Sequence, residues 1–120
     1  MILVIEDNLM LAKFFALAIE AAGYTTDIAL TGEEALKKLS ERTYRMVFVD
    51  LGIPGINGFT VVATARILGV TAPMIAITGQ GDVPDDVMRS AGFSGPLIHK
   101  PIRLSALTAM VQKLCGASDA

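Results

Sequence analysis

Tryptophan is absent from this chain, cysteine and histidine occur once each, and aromatic residues make up only 6% of its 120 positions. One cysteine, Cys115, makes no internal disulfide, which fits a reducing cytoplasm and leaves cohesion to an apolar core. Its place near the terminus argues against a nucleophile. No basic excess exists either: 10 Lys and Arg stand against 12 Asp and Glu, with net charge −2 and pI near 5.2. That balance provides no electrostatic footprint for nucleic acid. Charges or turn residues interrupt every apolar run before the ~18 residues a membrane span needs. The apolar start lacks a basic flank and meets Glu6-Asp7 at once, so no signal peptide is expected. Internal repeats, low-complexity tracts and interdomain linkers are missing, as are a helix-turn-helix pattern and a second domain.

The chain does have apolar content, at 52% with mean hydropathy +0.56. That excess fits strands buried on both faces, which read as continuous apolar runs. Strand-like and helix-like segments alternate five times. Strands are predicted at 2–6, 24–29, 45–50, 74–77 and 97–99, the second at an edge because it is more polar, the third central because it is most apolar. A helix over 9–22 places Leu11, Phe14, Phe15, Ala18, Ile19 and Ala22 on one face. Its two phenylalanines are read as core, although both cannot point the same way. Thr31 and Glu34 form a capping box opening a helix to about Glu41, with Ala35, Leu36 and Leu39 inward. Further helices are expected at about 59–68, in a short segment capped by Asp82 with Pro84 in its first turn, and over Leu104, Leu107, Val111 and Leu114. Short connections between alternating elements imply a parallel sheet covered on both faces. Residues 1–115 are read as one domain and 116–120 as a tail.

Charged or hydroxyl residues stand where the apolar runs stop. Glu6-Asp7 end the first, Asp50 the third, Thr78 the fourth and Lys100-Pro101 the fifth. In a parallel sheet these strand ends share the edge where ligands bind in open α/β folds. Three carboxylates gathered there repel one another unless a divalent cation lies between them. Each residue alone has a plain reading: a solvated loop, a helix cap, a turn, an exposed lysine. Their joint occurrence indicates a site. His99, beside Lys100, is read as a packing or rim residue.

Over nearly its whole length the chain resembles the receiver domain of two-component response regulators. The matching motifs are Glu6-Asp7, Asp50-Leu51-Gly52-Ile53-Pro54-Gly55, Thr78-Gly79 and Lys100-Pro101. The resemblance implies a flavodoxin-like, three-layer (βα)5 doubly wound parallel sheet in strand order 2-1-3-4-5. It implies that Asp50 accepts a phosphoryl group from a phosphohistidine of a sensor histidine kinase or histidine phosphotransfer protein. Mg2+ would be held by Asp7, Asp50 and the Gly52 carbonyl, with Glu6 acting through a water. Lys100 would meet one phosphoryl oxygen and the Thr78 hydroxyl another, and the Lys100–Pro101 peptide would be cis. Such a module catalyses only its own phosphorylation and slow dephosphorylation, signals by binding a downstream protein partner, and is expected in the cytoplasm as a monomer or weak dimer, touching neither nucleic acid nor membrane.

The chain departs from the family at one functional position. An aromatic three residues before the lysine usually couples the site to a distant face; here that position is Leu97, or Pro96 when counted from Gly92. Any activation signal must then travel another way, or the domain is a phosphorelay shuttle or phosphate sink without an output switch. Gly52 and Gln80 occupy the two positions that tune phosphoryl lifetime in the family; the first leaves room for a hydrolytic water, and the second can bond it without acting as a base. Two other functions compete. A flavodoxin-type cofactor module would need a Ser/Thr/Gly-rich loop after the first strand, where Glu6-Asp7-Asn8 repel phosphate. A haloacid-dehalogenase-type phosphatase normally needs a second aspartate at position 52.

Overall fold

All five apolar runs form strands in the computed structural model. They are β1 (Ile2–Ile5), β2 (Thr26–Ala29), β3 (Met46–Asp50), β4 (Met74–Thr78) and β5 (Ile98–His99). The structure describes residues 1–53, 55–79, 81–95 and 97–116, without the side chain of Cys115. The expectations for Gln80, Pro96, the Cys115 thiol and residues 117–120 lie outside the described residues. All strand pairs are parallel, in the order β2-β1-β3-β4-β5. The polar β2 is thus an edge and the fully buried β3 the centre, as the sequence predicts.

Period-two alternation divides the strand side chains between two cores. Ile2, Val4, Met46, Phe48, Ile75, Ile77 and Ile98 face one layer, made by α1 (Leu9–Ala21) and α5 (Leu104–Val111). Leu3, Ile5, Val47, Val49, Met74 and Ala76 face the other, made by α2 (Gly32–Glu41), α3 (Gly58–Ile67) and α4 (Asp85–Ser90). In α1 the buried residues are Ala12, Phe15, Ala18 and Ile19. Phe15 is enclosed while Phe14 is half-buried against the same core, the two rings meeting edge to face at 6.1 Å.

Helix starts follow their caps. Asn8, Thr31 and Asn57 accept the backbone N–H groups of Leu11, Glu34 and Thr60, each satisfying a donor the helix leaves free. Asp82 does not cap α4. That helix begins at Asp85 behind Pro84, which stands at the cap position rather than inside the first turn, and Asp82 is instead directed to His99. The last helix also differs. After Val111 the chain widens into a π turn over Gln112–Gly116, which shifts the phase of the apolar positions. Leu107 and Val111 are buried, but Leu104 and Leu114 are exposed.

Two polar ties brace the ends of the sheet. Arg66 donates to the carbonyls of Val70, Ala72 and Gly92, fixing the end of α3 to the segments flanking β4. Asp27, on the edge strand, accepts the Tyr44 hydroxyl at 2.7 Å and the Lys38 ammonium at 2.9 Å. Burial opposes the Asp27 charge, but these bonds outweigh it and hold the carboxyl below its usual range. The folded state therefore binds that proton less tightly than the unfolded chain, so the stabilisation is present above the ordinary aspartate pKa and disappears as acid protonates the native carboxyl. Asp27→Asn is predicted to lower stability near neutral pH by about 1 kcal/mol. Urea melts of both proteins should converge as the pH falls through and below the ordinary aspartate range; a gap unchanged by acid would contradict the assignment.

Candidate functional site

The ends of β1, β3, β4 and β5 build one cleft. Glu6, Asp7, Asn8, Leu11, Asp50, Gly52, Thr78, Gly79 and Lys100 line its volume of ≈ 530 Å³. All five side chains that the sequence reading selected, those of Glu6, Asp7, Asp50, Thr78 and Lys100, come together, with Gly52 beside them. The register explains why: Ile5 pairs with Val49, Asp50 with Ile77, and Thr78 with His99, so each polar residue emerges at nearly the same level of the sheet. Gly58 assists. A Cβ at that position would lie 3.0 Å from the Val49 and Leu51 side chains and 3.1 Å from the Asp50 carbonyl oxygen. Glycine there lets α3 start directly against the strand that carries Asp50.

Glu6, Asp50 and Thr78 are buried polar residues, whereas Asp7 is exposed at the mouth. Lys100 joins the two buried carboxylates: its Nζ donates to Glu6 Oε1 and to Asp50 Oδ2, each at 3.0 Å. The other Asp50 oxygen accepts the Gly52 N–H at 2.9 Å, and Glu6 Oε2 accepts the Asn8 N–H at 3.2 Å. The Lys100 backbone N–H donates to the Thr78 carbonyl at 2.7 Å, and the following Lys100–Pro101 peptide is cis, as the resemblance implied. Sequence reading did not foresee that one ammonium would be shared by Glu6 and Asp50, because neither partner is near it along the chain.

Charge in the cleft divides unevenly. Burial pushes the Glu6 carboxyl up to about 7, and the Asp50 and Asp7 carboxylates add to that rise against the Lys100 ammonium. Asp50 moves the other way. Burial opposes its charge, but hydrogen bonds from Glu6, the Gly52 N–H and Lys100 hold it below the usual carboxylate range. Burial would likewise lower Lys100, yet the two carboxylates keep its ammonium above its ordinary value. Proton affinity is thus raised at Glu6 and lowered at Asp50, which favours the ionised form of the Asp50 carboxylate.

Oxygens from Glu6, Asp7 and Asp50 all lie within 4.8 Å of one another. The donors are hard carboxylate oxygens whose charge exceeds that of the single ammonium among them. This donor set fits a hard divalent cation and offers none of the thiolate or imidazole ligands that favour zinc.

Comparison with known proteins agrees with this geometry. The model of the response regulator receiver domain matches residues 2–112. The response regulator ArlR of Staphylococcus saprophyticus is 33% identical over 113 residues, covering 94% of this chain and 51% of that protein. The transcriptional regulatory protein TcrA of Mycobacterium tuberculosis is 32% identical, covering 94% and 45%. A solved CheY-like receiver domain from Methylobacillus flagellatus has a TM-score of 0.82 at 28% identity, covering 94% of this chain and 96% of that one. Another, from Methanospirillum hungatei, has a TM-score of 0.86 at 23% identity, covering 98% and 94%. The chain belongs to the response regulator receiver family, a family of signalling domains of two-component systems. It spans about half the length of the curated relatives it matches. Among the described residues, no helix is long and apolar enough to cross a membrane.

Because the carboxylates repel without a cation, magnesium should bind the folded state preferentially. Stabilisation should reach about 2.7 kcal/mol at a free concentration a hundred times the Kd. Asp7→Asn removes the exposed carboxylate without disturbing the Lys100 bonds. It should therefore raise the metal-free melting temperature and shrink the magnesium increment. Identical melting curves with and without millimolar magnesium would contradict a metal site.

Proposed function

We propose that residues 1–115 form a receiver module that accepts a phosphoryl group on Asp50 from a phosphohistidine of a sensor histidine kinase or histidine phosphotransfer protein. The observation that carries this reading is the buried Asp50 carboxylate, held between the Lys100 ammonium and the Gly52 N–H, which together favour its charged form. In the transfer, an Asp50 oxygen forms a bond to phosphorus as the phosphorus–nitrogen bond breaks. The electron pair leaves on the imidazole nitrogen, which takes up a proton. Phosphoryl transfer of this type is mostly a matter of position and charge.

The chain's residues divide the task. Asp50 is the acceptor and Lys100 neutralises one phosphoryl oxygen, moving from the carboxylate oxygen it holds in the resting cleft. The Thr78 hydroxyl, on the buried end of β4, bonds a second oxygen. Asp7, Asp50 and the Gly52 carbonyl would hold Mg2+, with Glu6 acting through a water; the ion supplies neutralisation of the charge that the transfer gathers on oxygen. Gly52 places no side chain over the acceptor, so a water reaches the aspartyl phosphate. That water forms a bond to phosphorus as the bond to the Asp50 oxygen breaks, releasing inorganic phosphate and regenerating the carboxylate, and the module turns over nothing else.

Docking is assigned to the first helix. Met10 is 75% and Leu17 59% exposed, and exposed Ala21 continues the same strip. Apolar surface of this kind on a small domain favours a protein partner. A donor helix packed there would bring its phosphohistidine over the cleft rim, where α1 starts. Output runs through a downstream protein, in the cytoplasm, from a monomer or weak dimer. The alternative role of shuttle or phosphate sink draws support from Leu97, which packs as an aliphatic against the α2–α3–α4 core and has no ring to swing.

Rates of labelling from two donors test the assignment. Asp50→Ala should abolish labelling from acetyl phosphate and from a phosphorylated histidine protein. Leu17→Glu should slow the protein donor at least about tenfold, the kinetic equivalent of a 1.4 kcal/mol loss in docking, while leaving acetyl phosphate unaffected. Full labelling of Asp50→Ala would overturn the acceptor assignment, and an undiminished protein donor rate in Leu17→Glu would move the docking face.

A further inference from the structure

His99 and Asp82 have no role in the reading above, yet they meet next to two strand ends that build the cleft, His99 pairing with Thr78 and preceding Lys100. His99 Nε2 lies 3.1 Å from Asp82 Oδ1. A carboxylate only accepts, so the imidazole nitrogen donates. Asp82 belongs to the loop that leaves Thr78 and enters α4; His99 is the last residue of β5, paired with Thr78 across the sheet. The next residue, Lys100, donates its N–H to the Thr78 carbonyl and its Nζ to Asp50. The contact therefore bridges the two segments whose side chains are assigned to the phosphoryl oxygens. One end lies four residues after Thr78, the other one residue before Lys100.

Side-chain alternation adds a second point. His99 is two residues from Leu97, so both face the same side of the sheet. Leu97 packs against the core that contains Met88 of α4, together with Val83 and Ala91 on either side of that helix. At this place a partly buried aliphatic side chain packs against the core and an imidazole reaches the loop above it. Asp82 could have capped α4, and Pro84 at the cap position makes no side-chain bond; the aspartate is used for a lateral bond to β5 instead.

We propose that the His99–Asp82 bond is a positioning contact that couples occupancy of the Asp50 site to α4. It rests on the phosphoryl-acceptor reading. When Thr78 and Lys100 both turn to phosphoryl oxygens, the end of β4 and the end of β5 shift relative to one another. A bond from His99 to the loop carries that shift to Val83 and Pro84, and so to the first turn of α4. The pair takes the place of a ring moving through the interior, which Leu97 cannot supply. Both partners are exposed, with side-chain accessibilities of 51% and 86%. Exposed pairs add little to stability, so breaking this one leaves the fold intact.

The test uses amide NMR spectra of the wild type, His99→Ala, Asp82→Ala, the double variant and His99→Gln, each with magnesium and with or without beryllofluoride as the phosphoryl mimic. In the wild type, amides of Asp50, Gly52 and Lys100 should shift, and so should those of Asp85–Ser90. In either alanine variant the first group should shift as before while the α4 group loses most of its displacement. The double variant should lose no more than either single one, because the two residues act as one contact. His99→Gln keeps a nitrogen donor at about the same reach and should restore the α4 response. An α4 displacement of wild-type size in the alanine variants, or none in the wild type, overturns the coupling. Absence of any shift at Asp50 in the wild type overturns the acceptor reading itself, and is recognisable because the first group of amides then also stays still.

Discussion

An excess of negative charge at one edge of an apolar sheet is the constraint on which this structure depends. Two of its carboxylates, on Glu6 and Asp50, are withdrawn from water at strand ends, where an unpaired charge is expensive. A single ammonium bonded to both offsets part of that cost. The remaining imbalance raises the proton affinity of Glu6 and suits the cluster to a divalent cation. Strong apolar burial elsewhere makes the arrangement tolerable. The strands that bring the charges together are almost wholly enclosed by two helical layers, so an unfavourable edge does not unravel the sheet.

The same constraint links fold to chemistry. Parallel pairing in the order β2-β1-β3-β4-β5 puts the ends of β1, β3 and β4 side by side, with β5 next in line. Residues separated by nearly the whole chain, Glu6 and Lys100, consequently lie in hydrogen-bond contact. The proton asymmetry between Glu6 and Asp50 is a matter of neighbours. Asp50 has the Gly52 N–H and the lysine, whereas Glu6 has deeper competition from the other carboxylates. Asp50 is therefore the better solvated of the two by protein groups, which favours its ionised form.

Much of this was legible in the sequence because the signals are local and the fold repeats them. Uninterrupted apolar runs mark strands buried on both faces, and the residue that ends each run is at the sheet edge by construction. Thr31 and Glu34 likewise announced the start of α2. What escaped detection depends on partners distant along the chain. Asp82 has the form of a helix cap, and its bond to His99, 17 residues away, leaves no sequence signature. The Arg66 fork to three carbonyls and the Asp27–Tyr44–Lys38 cluster are of the same kind. Leu104 and Leu114 satisfied a helical period, but the first lies at the exposed helix start and the second follows a π turn that breaks the phase. The steric need for glycine at position 58, the approach of α3 to β3, likewise exists only in three dimensions.

The central claim is that the charge collected at the strand ends serves to load Asp50 with a phosphoryl group. Its most direct test is to locate that group chemically. The protein would be incubated with a phosphorylated histidine protein, reduced with borohydride to convert acyl phosphate to an alcohol, digested and mapped by mass spectrometry. The account predicts conversion at Asp50 alone, dependent on magnesium and lost when the metal is chelated. Conversion at Glu6 or Asp7, or an equal yield in the presence of chelator, would contradict it.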